Sequence, residues 1–261
     1  MSQRAGPFAN PVGMWTLIKR EMKRTFNIIN QVIWPPIITT LLYVFVFGLA
    51  LGSRIKNVEG VPYASFLIPG LIMLQVIDSS YAECSSSVFQ GRFMNWIQEM
   101  LIAPLSAVEI VSGWIIGSVV RAVIIANLIM ILGLLLVHTL PRDWFLYFAV
   151  MSLVATLFSA IGIIAGLMAE KFDHLAVTTT FVITPLIFVG GVFTPVGLLP
   201  PLIRTLSLFN PMFYTIDAFR YTFTQQSYLP LGTSIGVIGL LTAVATAIAL
   251  RMTSIGYKLR A

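Results

Sequence analysis

Apolar runs of about 20 residues alternate with short polar clusters along this chain, a spacing that predicts membrane-crossing helices. The first run is 31–52 (QVIWPPIITTLLYVFVFGLALG). Its Pro35 and Pro36 are assigned to the first turns, where a missing N–H costs little. The second starts near Tyr63, stays apolar through FLIPGLIMLQVI, then turns polar at Asp78, Ser79, Ser80, Glu83, Ser85, Ser86 and Ser87. It is expected to continue as helix to about Phe89, with this half facing other protein or water. Further runs at 108–137, 144–168, 175–193 and 232–250 bring the spans to six, and the third carries one internal charge, Arg121.

Three stretches break the pattern. In 14–29, Met14, Leu17, Ile18, Met22 and Phe26 recur at helical spacing, while Lys19, Arg20, Lys23 and Arg24 occupy the remaining arc. This predicts an amphipathic helix in the membrane interface, apolar side toward lipid; a solvated start of the first span is the plainer alternative. Residues 91–106 (GRFMNWIQEMLIAPLS) are too short and mixed to span. Phe93, Trp96, Ile97, Met100 and Leu101 share one helical face and Arg92, Asn95, Gln98 and Glu99 lie on others, predicting a short amphipathic helix closed by Pro104. The stretch 194–230 holds Pro195, Pro200, Pro201, Pro211 and Pro230 with Arg204, Asp217, Arg220 and many aromatics. Two half-helices, 198–208 and 211–224, fit it, broken at Asn210 and Pro211. Irregular backbone at membrane depth must be buried in protein or line a wet cavity, so the expectation is a re-entrant hairpin.

Composition narrows the class. Hydrophobic residues make up 57% and charged residues 10%, with a mean hydropathy of +0.91; soluble domains carry roughly 25% charged residues. A water-soluble globule and a disordered chain are both excluded. The expected fold is an all-α integral membrane protein of six transmembrane helices. An N-terminal interfacial helix precedes them and a re-entrant outer hairpin precedes the last span. The parts would be 1–30, a transmembrane domain 31–252, and a tail 253–261.

The net charge is +6, but the basic residues sit at segment ends, which points to orientation and lipid headgroups rather than nucleic acid. With both termini inside, inner segments carry Arg4, Lys19, Arg20, Lys23, Arg24, Arg92, Lys171, Arg251, Lys258 and Arg260. Outer segments carry Arg54, Lys56, Arg142, Arg204 and Arg220. The excess favours a plasma (inner) membrane protein with cytoplasmic termini, the 91–106 helix inside and the hairpin outside. Residues 1–13 have no apolar core, so no cleaved signal peptide is expected. The single cysteine, Cys84, allows no intrachain disulfide. His138 and His174 lie far apart, so no metal site is expected.

No P-loop, H-E-x-x-H or G-x-S-x-G motif occurs, and no catalytic residue is assigned. Internal repeats, a mark of many secondary transporters, are not visible. Charges within spans cost at least ~2.5–3.5 kcal/mol each on insertion scales. Counted along their helices, Asp78 lies about 17 Å and Arg121 about 21 Å from the inner ends, so Asp78 or Glu83 is expected to pair with Arg121. Such a pair is either structural or part of a transport path. Asp217 and Arg220, three apart, could pair locally; Arg204 could reach a phospholipid or an anionic headgroup. The hairpin aromatics suit an interfacial belt and a glycan-stacking surface equally.

The run FVGGVFTPVGLLPPLIRTLSLFNPMFYTIDAFRYTF (188–223) resembles the C-terminal signature region of the ABC type-2 permease family, the membrane subunits of ATP-driven exporters. The matching elements are Gly190 and Gly191, Phe193 to Pro195, the Leu-Pro-Pro at 199–201, and Asn210 and Pro211 followed by aromatics and Asp217. The segment with Glu99, Ala103, Pro104 and Leu105 is similar to the stretch that couples such subunits to their ATPase. Length, span count and the N-terminal helix agree, and the Nod-factor, polysaccharide and drug-export branch is the most similar. The resemblance implies a homodimer served by two copies of a separate P-loop ATPase, which binds the ATP and Mg; this chain holds no cofactor. Arg92, Asn95, Gln98 and Glu99 would make polar contacts with the ATPase while Phe93, Trp96 and Met100 anchor. The cargo would be amphipathic (a lipid-linked glycan, a lipid or a drug). An ion-coupled secondary transporter or channel, and an intramembrane lipid-modifying enzyme, stay open as alternatives.

Overall fold

Helix is the default here because lipid offers backbone groups no partner, so each span must satisfy its own. In the computed structural model of the protein, residues 10–51, 57–58, 60–94, 96–97, 103 and 105–258 are described. In chain order these form α1 (Pro11–Asn27), α2 (Ile29–Tyr43, continued by a π-helical Val44–Leu51), and a two-residue antiparallel ladder, Asn57–Val58 against Val61–Pro62. Then come α3 (Tyr63–Phe93), α4 (Ala107–Val137) and α5 (Trp144–Met168). α6 (Phe172–Thr178), a π-helical Thr179–Ile183 and α7 (Thr184–Val189) follow one another as one rod. α8 (Pro201–Leu208), α9 (Pro211–Thr224) and α10 (Leu231–Ile255) complete the chain. Among the described residues, six helices are long and apolar enough to cross a membrane: Ile29–Gly48, α3, α4, α5, Phe172–Val189 and α10. The protein is an all-α integral membrane protein.

α3 is the hub. It packs against α5 and α4 most extensively, and α10 covers α5. Of its most apolar window, 78% is buried, against 22% for the first span and 17% for the fifth. Those two spans therefore present most of their side chains outward. The main core gathers Phe66, Ile72, Tyr81, Tyr147, Phe158 and Phe219; a second core near the other end gathers Leu17, Val88, Ile97, Trp114 and Leu167. Contact between α3 and α5 is close because α5 has no side chain at Gly162 and Gly166. A Cβ there would lie 2.7 Å from the Tyr81 and Ser85 carbonyl oxygens respectively.

Three sequence expectations change. Pro35 and Pro36 lie inside α2 rather than in its first turns, since the helix begins at Ile29. The apolar stripe of α1 does not simply face lipid: Leu17, Ile18, Glu21 and Thr25 are buried, and α1 lies against α4. Gly113 and Gly117, one turn apart, make room for it. Their Cβ atoms would meet Leu17 Cδ2 at 2.6 Å and Glu21 Cβ at 2.8 Å. Finally, Gly91, Arg92 and Phe93 form the last turn of α3, not the start of a separate helix. α3 can run on because its polar half finds protein partners. Asn95, Gln98, Glu99, Met100 and Pro104 lie outside the described residues.

Candidate functional site

Asp78 and Arg121 each sit near the middle of a 31-residue helix, about 22 Å and 21 Å from its start at 1.5 Å per residue. Charge at that depth must be compensated. Glu83, five residues past Asp78, is the centre of the compensation. One carboxylate oxygen accepts from Arg121. The other accepts from Arg24 at 2.7 Å and from the Thr25 hydroxyl at 3.2 Å. Arg24 also donates to the Glu83 backbone carbonyl at 3.1 Å and lies 3.4 Å from Glu21. Ser87 donates to Glu21 at 2.8 Å. Two arginines and two glutamates thus tie α1, α3 and α4 together, with Glu21 and Glu83 each about 3% exposed.

α1 is fastened at its other end too. The Glu109 carboxylate, fully buried, accepts from the Asn10 backbone N–H at 2.6 Å and from the Ser106 N–H at 2.7 Å. Ser106 and Glu109 form a capping box at the start of α4. In between, the Arg20 guanidinium lies 4.9 Å from the centre of the Trp96 ring. The 91–106 segment and α1 therefore touch through Trp96 and again at Gly13, whose added Cβ would lie 2.7 Å from Leu105.

Beside the charge cluster lies a cavity of about 370 Å³ between α2, α3, α4 and the fifth span. Asp78 and Arg121 are its charged residues; Gln31, Thr39, Gln75, Ser79, Thr179 and Thr184 add neutral polar groups. Asp78 makes no hydrogen bond among the described residues and feels Arg121 through space. Of the expected pairings, Glu83 takes the direct contact with Arg121, and Asp78 is left facing the cavity.

Arg92, half-buried at the end of α3, fastens three segments together. Its guanidinium donates at 2.9 Å to the Gly166, Leu167 and Ala169 carbonyls at the end of α5, and to the Lys258 carbonyl. It caps the end of α5. Ile97 is turned into the core, while Phe93 is 78% exposed and Trp96 39%. At the same end Lys258 donates to Glu170 at 3.0 Å; that hydrogen bond and the ammonium charge hold the Glu170 carboxyl below its ordinary range.

The 188–223 residues act as fasteners at the other end. Gly191 takes a left-handed φ of 95°, and its carbonyl accepts from Arg220 at 2.7 Å. Gly190 lies under Met212. Pro195 precedes a single 3-10 turn, Val196–Leu198. Asn210 caps α9, where Pro211 is the first residue, and donates to the Leu186 carbonyl at 2.6 Å. Asp217 accepts from the Tyr228 and Leu229 backbone and from Ser234. Arg220 also stacks 3.8 Å from the Phe66 ring centre, and Arg204 binds the Tyr228 hydroxyl.

Sequence reasoning missed Glu21, Arg24 and Thr25 as cluster members, and Glu109. Two signals were present. Glu21 is the only acid in the first 30 residues, and Gly113 and Gly117 mark a face open to close helix approach.

Comparisons with known proteins agree on one family. A family model described as ABC-2 type transporter matches residues 13–224. The inner membrane transport permease YadH of Escherichia coli (strain K12) is 38% identical over 228 residues, covering 86% of this chain and 89% of the relative. Nodulation protein J of Rhizobium leguminosarum bv. viciae is 27% identical over 201 residues, covering 76% and 77%. Nodulation protein J of Rhizobium meliloti (strain 1021) is 25% identical over 199 residues, covering 76% of each.

Proposed function

This chain belongs to the ABC-2 type transporter family, and from that premise we propose that it is the permease subunit of an ABC exporter. It works as a homodimer with two copies of a separate P-loop ATPase that supplies ATP and Mg chemistry. Both termini lie in the cytoplasm of a plasma (inner) membrane protein, and α1 runs along the inner interface. α8 and α9 form a re-entrant hairpin on the outer side. The cargo is amphipathic (a lipid-linked glycan, a lipid or a drug) and moves outward.

The observation that carries this reading is the bracing of the inner end. A motor that pushes on the 91–106 segment would displace Trp96 and Leu105, which touch α1. α1 is held by Glu109 at its start and by Glu83 near its end. The push therefore reaches Arg121 and the cavity wall through side chains already in contact. Exposed Phe93, Met94 and Trp96 supply the apolar surface for the ATPase; Arg92 braces behind them.

The test is co-purification and reconstitution. The chain with its ATPase, in proteoliposomes, should show cargo flux that needs hydrolysable ATP, and cysteines at 93 and 96 should crosslink to the ATPase. Flux from the pure chain without nucleotide would overturn the reading and favour the ion-coupled carrier, for which Asp78 at mid-depth would be the coupling group. Turnover of a lipid by the chain alone would favour the intramembrane enzyme.

A further inference from the structure

The charge count around the cavity does not close. Glu21, Glu83 and Asp78 carry three negative charges, and Arg24 and Arg121 two positive ones. Among the described residues both arginines contact glutamates, and Arg121, which also lines the cavity, reaches Asp78 only through space, so the surplus carboxylate is Asp78. The other cations of this part of α1 are placed elsewhere: Lys19 lies over the Trp15 ring, Arg20 over Trp96, and Lys23 is exposed.

The backbone adds to the same imbalance. Pro35 and Pro36 have no N–H, so the ladder bonds that would end on the Gln31 and Val32 carbonyls are not donated. All four residues line the cavity. The α2 wall thus carries two carbonyls that the ladder leaves without a donor, and α3 contributes a carboxylate; Tyr43 and Phe188 also line the cavity. A carboxylate without a hydrogen bond and carbonyls without a ladder donor, at a depth where an uncompensated anion is costly, suit a single positive charge; aromatic rings favour an alkylated ammonium further.

We propose that this cavity binds the cationic, ammonium-bearing headgroup of an amphipathic molecule, with Asp78 as its counter-ion and the Gln31 and Val32 carbonyls, Gln75 and Thr39 as the surrounding acceptors. The assignment rests on the exporter reading only for calling that molecule cargo; the site itself belongs to this chain.

The experiment uses the full chain in nanodiscs of zwitterionic lipid and three probes with one fluorophore. These are trimethylammonium-diphenylhexatriene, uncharged diphenylhexatriene and its propionate. Binding is read by energy transfer from tryptophan and by competition with tetraethylammonium. The cationic probe should bind saturably and be displaced, and the other two should only partition into lipid. Asp78→Asn should weaken the cationic probe about thirtyfold, the effect of removing one partner of a buried charge pair. Asp78→Glu should retain most of the affinity. If Asp78→Asn does not fold, Thr39→Val and Gln75→Leu each remove a neutral acceptor and should weaken the cationic probe alone. Equal displacement of all three probes from wild type, or preference for the propionate, overturns the site without any variant. Saturable cation binding to a chain that recruits no ATPase would overturn the exporter reading and leave the site standing. ATP-driven flux with no cation binding would do the reverse.

Discussion

Replacing Arg121 with leucine removes one of the two arginines that hold Glu83. The carboxylate keeps Arg24 at 2.7 Å and Thr25 at 3.2 Å, so it is not orphaned, but Asp78 loses the positive charge it feels. Breaking a buried pair from one side costs about 3–5 kcal/mol. The Arg121 side chain is 15% exposed and Glu83 retains partners, so the low end applies, about 3 kcal/mol. Glu83→Gln alone weakens both arginine contacts and should cost about 2 kcal/mol, a charge-assisted bond becoming a neutral one. The double variant is the decisive one. With Arg121 gone, neutralising Glu83 relieves a surplus anion, so the two changes should cost at least 1 kcal/mol less together than separately, a coupling usual for contacting charges. Reversible unfolding in mixed micelles by increasing SDS gives the free energies, and transport with the ATPase is measured in parallel. Additive losses, or a single-variant loss of Arg121 below 1 kcal/mol, would refute the idea that this cluster is an energetic unit.

Gly117→Leu should detach α1, because even a Cβ would lie 2.8 Å from Glu21. A cysteine at position 18, slow to react with a hydrophilic maleimide in the parent, should react quickly in the variant, and overpacking should cost about 1–3 kcal/mol. Arg92→Ala should unpin the end of α5, raising amide exchange over 165–169 and costing about 2–3 kcal/mol for lost charged hydrogen bonds. By contrast, Phe93→Ser, at an exposed site, should leave stability within about 0.5 kcal/mol and reduce ATPase recovery. Since Lys258 lowers the Glu170 carboxyl below its ordinary range, that contact favours the folded state above pH ~4.3, and the benefit fades as pH falls through the lowered value. Lys258→Gln should return the Glu170 carboxyl carbon's NMR titration toward the ordinary range; an unchanged titration would refute the contact.

The spans were legible because each is a local matter. Some 20 adjacent apolar residues decide the cost of crossing lipid, whatever lies beside them. That Arg121 would pair with Asp78 or Glu83 was legible for a related reason, since charge at mid-span is expensive enough to demand a neighbour; which of the two it meets was not. The arc of α1 was not. Leu17, Ile18 and the cations around them read as a lipid-surface helix, since hydrophobic periodicity identifies the buried face but not what buries it. The polar run at 78–87 was legible as helix facing protein or water; its end was placed four residues short of Phe93, and that the protein it faces is α1 and α4 was not legible.

The amino-acid sequence alone therefore determined the number and order of the membrane helices, the all-α class, and the family to which the chain belongs. The tertiary structure decided which charges meet. Arg24 and Glu83 are 59 positions apart and Arg121 and Glu83 are 38, and their contact depends on two glycines of α4 admitting α1. It also decided that Arg92 caps α5 and that Asp78 borders a cavity. Such pairings come from several helices closing together in three dimensions, so no single stretch of sequence carries them.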